Sequence, residues 1–188
     1  MLGLVRLSLT RPQEAARRVL EAGHNLWVGV QALMLVAVLE AFEYGLLTGG
    51  RLELPTLGAT VRIAPLAYAL IVFGALTGSG VALGWAGRAL GGQGRVADAV
   101  VLVAWLQVVL LVLHVGLVVI ALLLPPLTPL AILAVLGAFL WCLLGFAQAL
   151  HGIGPGRALG AVLLAGLGFL LGVGALTAAL GIEVPAHV

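Results

Sequence analysis

Five long apolar stretches make up most of this chain of 188 residues and determine the solvent in which it can fold. A helix needs about 20 apolar residues to cross the hydrocarbon core of a bilayer. Because backbone polar groups in hydrocarbon must be hydrogen-bonded within their own segment, each stretch is predicted to be helical. The predicted spans are residues 26–47, 64–86, 99–123, 129–150 and 158–180. The expected fold is all-α: a polytopic membrane bundle of five transmembrane helices with a short N-terminal amphipathic helix.

The composition excludes a water-soluble fold. The chain is 63% hydrophobic and 9% charged, whereas a soluble chain is roughly half apolar and about a quarter charged. A soluble domain of this size has too much surface to hide so many apolar side chains. The basic residues form no stripe interleaved with aromatics, so nucleic acid is excluded and the lipid bilayer is the expected partner. The single cysteine, Cys142, rules out an intrachain disulfide and is predicted to be a packing residue.

The N-terminal segment differs from the rest of the chain. Thr10 and Gln13 are three residues apart and predict a capping box, and Gly23 predicts the end of the helix. This amphipathic helix would lie with its apolar strip on the inner membrane surface, or be simply solvated. Residues 1–25 are therefore predicted to be a cytoplasmic amphipathic segment, and residues 26–188 a single transmembrane domain.

The distribution of arginine predicts the orientation. All nine basic residues are arginines, and a cytoplasmic N-terminus places seven of them in inner segments and two in outer segments. The inner ones are Arg6, Arg11, Arg17, Arg18, Arg88, Arg95 and Arg157, and the outer ones are Arg51 and Arg62. The positive-inside rule favours this orientation, with the C-terminus outside after five spans.

Four polar residues within the spans form a predicted intramembrane polar cluster: Glu40, Glu43, His114 and Gln107. The two glutamates are three residues apart and share a helix face, and the histidine lies at a similar depth in the third span. Because an ionisable group in hydrocarbon is costly, the cluster is either a proton or ion relay or a polar contact that fixes helix packing.

Other chemistry finds no support in the sequence. No Glu-x-x-His motif accompanies the cluster, so no metal is expected. No nucleophile lies at a recognisable spacing from a base, so the chain is expected to be neither an enzyme nor the holder of a cofactor. Glycine pairs at four-residue spacing permit close helix packing, either within the bundle or in a homo-oligomer. The pairs are Gly74/Gly78, Gly80/Gly84 and Gly168/Gly172.

The second inner connection and the third span carry a family resemblance. The run Gly87-Arg88-Ala89-Leu90-Gly91-Gly92-Gln93-Gly94 leads into Asp98-Ala99 and Val103-Ala104-Trp105-Leu106-Gln107, followed by Pro125-Pro126, Trp141 and Leu150-His151-Gly152. This order resembles bacterial members of the Yip family, small membrane proteins whose eukaryotic relatives are linked to Rab-type GTPases, vesicle trafficking and membrane shaping. The resemblance implies five helices in a bacterial inner membrane, with the N-terminus cytoplasmic and the C-terminus outside. The eukaryotic Asp-Leu-Tyr-Gly-Pro signature is absent, which argues against a Rab partner.

Two functions follow as hypotheses. The first is a non-enzymatic membrane protein that organises membrane or partner proteins, including membrane or cytoplasmic ones. Its predicted cytoplasmic contact surface consists of Arg17, Arg18, Arg88, Arg95 and Asp98, with the arginines meeting anionic headgroups or a partner and Asp98 capping the third span. The alternative is a small transporter or channel that uses the intramembrane polar cluster as a relay.

Overall fold

Two short helices precede five long ones in the computed structural model, which describes residues 2–23, 25–49, 53–56, 59–62 and 64–179. The helices are α1 (Leu2–Thr10), α2 (Pro12–Glu21), α3 (Leu26–Leu47), α4 (Pro65–Ala89), α5 (Val96–Leu123), α6 (Thr128–His151) and α7 (Pro155–Ala179). Helices α3 to α7 are long and apolar enough to cross a membrane. The prediction of an all-α bundle with five transmembrane helices is confirmed.

The connection between α3 and α4 contains two short strands, which the sequence analysis did not predict. Strand β1 (Glu53–Thr56) pairs antiparallel with β2 (Ala59–Arg62), so that Glu53 is opposite Arg62. A 3-10 turn over Pro125–Leu127 joins α5 to α6. Arg51 and residue 180, where the fifth span was predicted to end, lie outside the described residues.

Helix α4 lies among the other long helices and packs mainly against α3, α5 and α7. The predicted glycine pair Gly80/Gly84 lets α4 approach α5 closely. A Cβ at Gly84 would come within 2.9 Å of the Val96 Cα, and one at Gly80 within 3.1 Å of the Val100 Cα. The pair therefore serves contact between α4 and α5. The oligomeric state stays a prediction.

The N-terminal helices are docked against the bundle. Ala15 and Ala16 have no exposed surface and Val19 is 5% exposed. They share a buried cluster with Leu102 of α5 and Phe146 of α6. The apolar strip of α2 therefore contacts two membrane-spanning helices. The sequence predicted that it would contact the inner membrane surface or belong to a solvated helix.

The predicted capping box is wrong. Thr10 ends α1, and its hydroxyl donates a hydrogen bond to the Arg6 carbonyl at 3.0 Å instead of capping the next helix. Arg11 is the N-cap of α2 and forms no side-chain cap bond. Pro12 begins α2, a position where its missing N–H leaves no intrahelical bond unmade.

Hydrogen bonds hold α1 and α2 on α5 and α6. The fully buried Ser8 receives a bond to its hydroxyl oxygen from the Trp105 indole N–H at 2.9 Å, and a bond to its carbonyl from the Cys142 thiol at 3.2 Å. The Gln13 amide donates to the Gln148 side-chain oxygen at 2.8 Å. Cys142 is buried, as expected of a packing residue, and also forms this bond.

Gly145 of α6 is predicted to control the docking of α2. A Cβ at this position would overlap the ring of Pro12. We expect Gly145→Ala to lower the free energy of unfolding by about 1–3 kcal/mol, the usual cost of overpacking. Hydrogen exchange should show faster opening of residues 2–21. The matched control is Gly137→Ala on the same helix, where nothing lies within 4 Å of the added carbon. Equal exchange in the two variants would contradict this account.

Candidate functional site

His151 lies at the end of the bundle where one short loop joins α4 to α5 and another joins α6 to α7. It is the last residue of α6 and is 3% exposed. The Gly94 N–H donates to its Nδ1 atom at 3.2 Å, and the Gln93 N–H donates to its carbonyl at 3.2 Å. An Nδ1 atom that accepts this hydrogen bond does not itself carry a proton.

The other side of the imidazole faces α4. The buried Nε2 atom lies on the side of the Leu83 carbonyl, but it meets the geometry of a hydrogen bond with no residue in the described part of the chain. The ring is thus held by one hydrogen bond and by its burial within the bundle.

Three glycines make room for His151. A Cβ at Gly87 would overlap the imidazole, and a Cβ at Gly94 would lie 2.7 Å from its Nδ1 atom. A Cβ at Gly92 would lie 2.8 Å from its Cγ atom. Gly91 has φ +87°, a conformation that reverses the chain and that glycine adopts without strain. The glycine run and the histidine that carry the family resemblance therefore interlock in space.

The predicted cytoplasmic contact surface divides into two parts. Arg88 and Arg95 line a cavity of about 550 Å³ together with residues 92–94, 96 and 97, and this is the arginine cavity below. Arg17 and Arg18 lie on α2, both exposed, and are not among the residues that line it. The Arg18 guanidinium is bound to the Glu14 carboxylate at 2.6 Å.

Asp98 lies in the first turn of α5 and is half-buried. Arg95 is the N-cap residue and forms no side-chain cap bond. The Asp98 carboxylate accepts no hydrogen bond within the described residues, so the predicted cap reduces to the attraction between its charge and the helix dipole.

Arg157 was missed as a member of this site. Its Nη1 atom lies 4.0 Å from where a Cβ of Gly91 would be, which places a third guanidinium beside the loop. The sequence placed Arg157 in an inner connection. The sequence did not predict that this connection lies beside the loop between α4 and α5, because the loop is held there by its contact with His151.

The intramembrane polar cluster comes together in part. Glu40, Glu43 and His114 are half-buried, and the Glu40 carboxyl is near enough to interact electrostatically with His114 and Glu43. Within the described residues these three share no ion pair or hydrogen bond. Gln107 lines a groove of about 350 Å³ with His114 between α5 and α6.

Two tyrosines that were not predicted as members of this cluster lie beside it. Tyr44 of α3 and Tyr68 of α4 stack with ring centroids 5.2 Å apart and planes 3° from parallel, and Tyr68 interacts electrostatically with Glu40. Tyr44 follows Glu40 by four residues, which places the two on one helix face. This spacing could have predicted that Tyr44 lies beside the cluster.

The surroundings of the cluster do not favour the transport hypothesis. The groove beside His114 is otherwise lined by apolar side chains, apart from Gln107. The groove between the C-terminal end of α3 and the N-terminal end of α4 is lined by apolar side chains and glycines. In the part of the chain that the structure describes, no three His, Cys, Asp or Glu side chains are grouped to hold a metal ion.

Comparison with known families gives one match. The model of the Yip1 domain matches residues 6–176, which is most of the chain. Neither the curated proteins nor the solved structures give a significant match.

The hydrogen bond from Gly94 to His151 should contribute measurably to stability. We expect His151→Ala to lower the free energy of unfolding by about 2–4 kcal/mol, because it leaves a cavity and a buried N–H without an acceptor. His151→Asn keeps an acceptor near the Nδ1 position and should recover part of the loss. Thermal unfolding of the full chain in detergent measures both. If the two variants lost the same stability, the hydrogen bond would not be the cause.

The overlap between Gly87 and His151 predicts a compensating pair. Gly87→Ala alone should destabilise the protein by about 1–3 kcal/mol, since the added carbon would occupy the space of the imidazole. Combined with His151→Ala, the same change should cost much less, because the imidazole is gone. A double-mutant cycle measures this coupling, and additive effects would show that the two residues do not compete for one space.

Proposed function

Because the chain belongs to the Yip1 domain family of multi-pass membrane proteins, we propose that it is a non-enzymatic protein that organises one leaflet of its membrane. The observation that carries the proposal is the docking of α1 and α2 against α5 and α6 near one end of the bundle. A partner protein, or a second copy of the chain, would be recruited through the arginine-bearing end.

The depth follows from the contacts of Ser8. Its carbonyl accepts from Cys142, which lies nine residues before the end of α6 at His151. Nine residues of helix rise about 13 Å. Since the hydrocarbon core is about 30 Å thick, one leaflet contributes about 15 Å. Helix α1 therefore reaches into one leaflet without crossing to the other.

Exposed aromatic side chains support this placement. Trp27, near the start of α3, is 73% exposed and Trp85, near the end of α4, is 66% exposed. Tryptophan prefers the boundary between hydrocarbon and headgroups. Both belong to the end at which α1 and α2 are docked, so they mark the interface on that side.

The two N-terminal helices suit a position within one leaflet. Leu2 of α1 is 77% exposed and offers an apolar side chain to lipid, whereas Arg17 and Arg18 of α2 are exposed and offer charge to headgroups. Helices that add cross-section to one leaflet alone expand it relative to the other, which favours curvature.

The arginines support a cytoplasmic location for this end. Anionic lipids concentrate in the cytoplasmic leaflet and attract basic side chains, and the positive-inside rule acts in the same direction. We therefore place the N-terminus in the cytoplasm and the C-terminus outside, in a bacterial inner membrane.

The test is the curvature preference of the full chain in vesicles. We expect the wild-type protein to be enriched in small vesicles over large ones, with the docked helices on the convex side. Gly145→Leu should lose most of this preference, because the added side chain displaces Pro12 and with it α2. Fluorescence microscopy of labelled protein in vesicles of known diameter measures the enrichment.

The matched control is Gly137→Leu, which adds the same side chain to the same helix in open space. It should behave as the wild type does. Circular dichroism should show that both variants keep their helices. A Gly145→Leu protein that is folded, has α2 displaced by hydrogen exchange and still prefers small vesicles would overturn the proposal.

A further inference from the structure

We propose that the arginine cavity binds the phosphate group of an anionic membrane lipid. The inference rests on the proposed function in one respect, namely that this end of the bundle lies at the depth of the headgroups. It adds a defined binding site and a ligand class to a protein proposed to act on the membrane as a whole.

The charge at the cavity is not neutralised by the protein. Arg88 and Arg95 line the cavity, Arg157 lies beside its loop, and all three are exposed. None of them forms an ion pair within the described ranges. The contrast is α2, where one carboxylate, Glu14, binds both Arg11 and Arg18. A guanidinium offers a planar fork of donors that fits two phosphate oxygens at once.

The backbone supplies further donors in the same cavity. The loop N–H groups are already used: Gly91 donates to Arg88, Gly92 to Gly87, and Gln93 and Gly94 to His151. These four bonds hold the loop in place and occupy the N–H groups of Gly91, Gly92, Gln93 and Gly94.

The next donors along the chain are free. The N–H groups of Val96 and Ala97 belong to the first turn of α5, which has no earlier turn to bond to. Both residues line the cavity beside the two arginines. Guanidinium groups and unpaired N–H groups at a helix start together form a surface suited to a phosphate.

The shape of the cavity is fixed before any ligand arrives. The loop from Arg88 to Arg95 is tied to His151, and the three glycines around the imidazole leave it no free space. A site that needs no reordering loses less conformational entropy when it binds.

The depth of the cavity favours a lipid as the source of the phosphate. Trp85 lies one helical turn before Arg88 on α4 and is 66% exposed. Since indole prefers the boundary below the headgroups, Arg88 lies at headgroup level. The candidate spans end at Ala89 and begin again at Val96, on either side of the loop.

Asp98 limits what the cavity accepts. Its carboxylate is in the same first turn and opposes an anion. Removing its charge in Asp98→Asn should therefore tighten binding, whereas removing arginine charge should weaken it. Opposite effects from the two changes distinguish a real anion site from a general loss of structure.

The experiment is a lipid titration of the full chain in detergent micelles, followed by native mass spectrometry. We expect phosphatidylglycerol to bind more tightly than phosphatidylcholine. Arg88→Ala with Arg95→Ala should weaken phosphatidylglycerol at least about tenfold, the loss expected when charge-assisted hydrogen bonds are removed. Asp98→Asn should strengthen it. Arg6→Ala, which removes an exposed arginine of α1 outside the cavity, should leave it unchanged.

Three results would overturn the site. Equal affinity for the two lipids would show that charge plays no part. A loss in Arg6→Ala as large as that in the double variant would show diffuse attraction and not a cavity. Inorganic phosphate that binds as tightly as phosphatidylglycerol would show that the ligand is a soluble anion. None of these results bears on the proposed function, which is overturned separately if a variant with displaced α2 keeps the preference for small vesicles.

Discussion

The contact between His151 and the loop joining α4 to α5 fixes the geometry of one whole end of the bundle. Backbone N–H groups at the edge of a membrane have less water to bond to than those of an ordinary surface loop, so they need partners within the protein. Here Gln93 and Gly94 donate to the last residue of α6. The space for this contact exists only because Gly87, Gly92 and Gly94 carry no side chain.

The polar groups of the bundle follow two different physical solutions. At the docked end, neutral donors and acceptors are paired with good geometry, as at Ser8, Trp105 and Cys142. An unpaired neutral group in hydrocarbon is costly, so these pairs fix where α1 can lie. Towards the other end, Glu40 and His114 are half-buried and interact through charge without a direct ion pair. That arrangement fixes helix positions less sharply than the hydrogen bonds around Ser8 do.

Hydropathy alone predicted the long helices, because lipid imposes a length and an apolar composition on each of them. The first predicted span, 26–47, coincides with α3, and the others differ by a few residues at their ends. Helix α5 begins at Val96, three residues before the predicted start of the third span at 99. The reason is that a charged Asp98 is favourable in the first turn of a helix. The predicted capping box at Thr10 was wrong because local patterns cannot tell the end of one helix from the start of the next.

The contacts at the docked end could not be predicted from the sequence. The alanine-rich face of α2 would look the same whether it met lipid or protein. The glycines of the α4–α5 loop are typical of a turn, and their partner His151 lies 57 residues beyond Gly94. The count of arginines predicted an orientation, but it could not show that Glu14 binds Arg18 while Arg88 is left without a carboxylate.

Helix α6 connects the docked N-terminal helices to the arginine cavity. Cys142, Gly145, Gln148 and His151 follow each other at intervals of three residues and contact Ser8, Pro12, Gln13 and Gly94 in turn. Residues spaced by three form a row inclined to the helix axis, so these contacts wind around α6 from Cys142 to the end of the helix at His151. A displacement of α1 and α2 therefore acts on the same row of side chains that holds the loop of the cavity. The docked N-terminal helices and the loop of the arginine cavity are therefore held by one row of residues on α6.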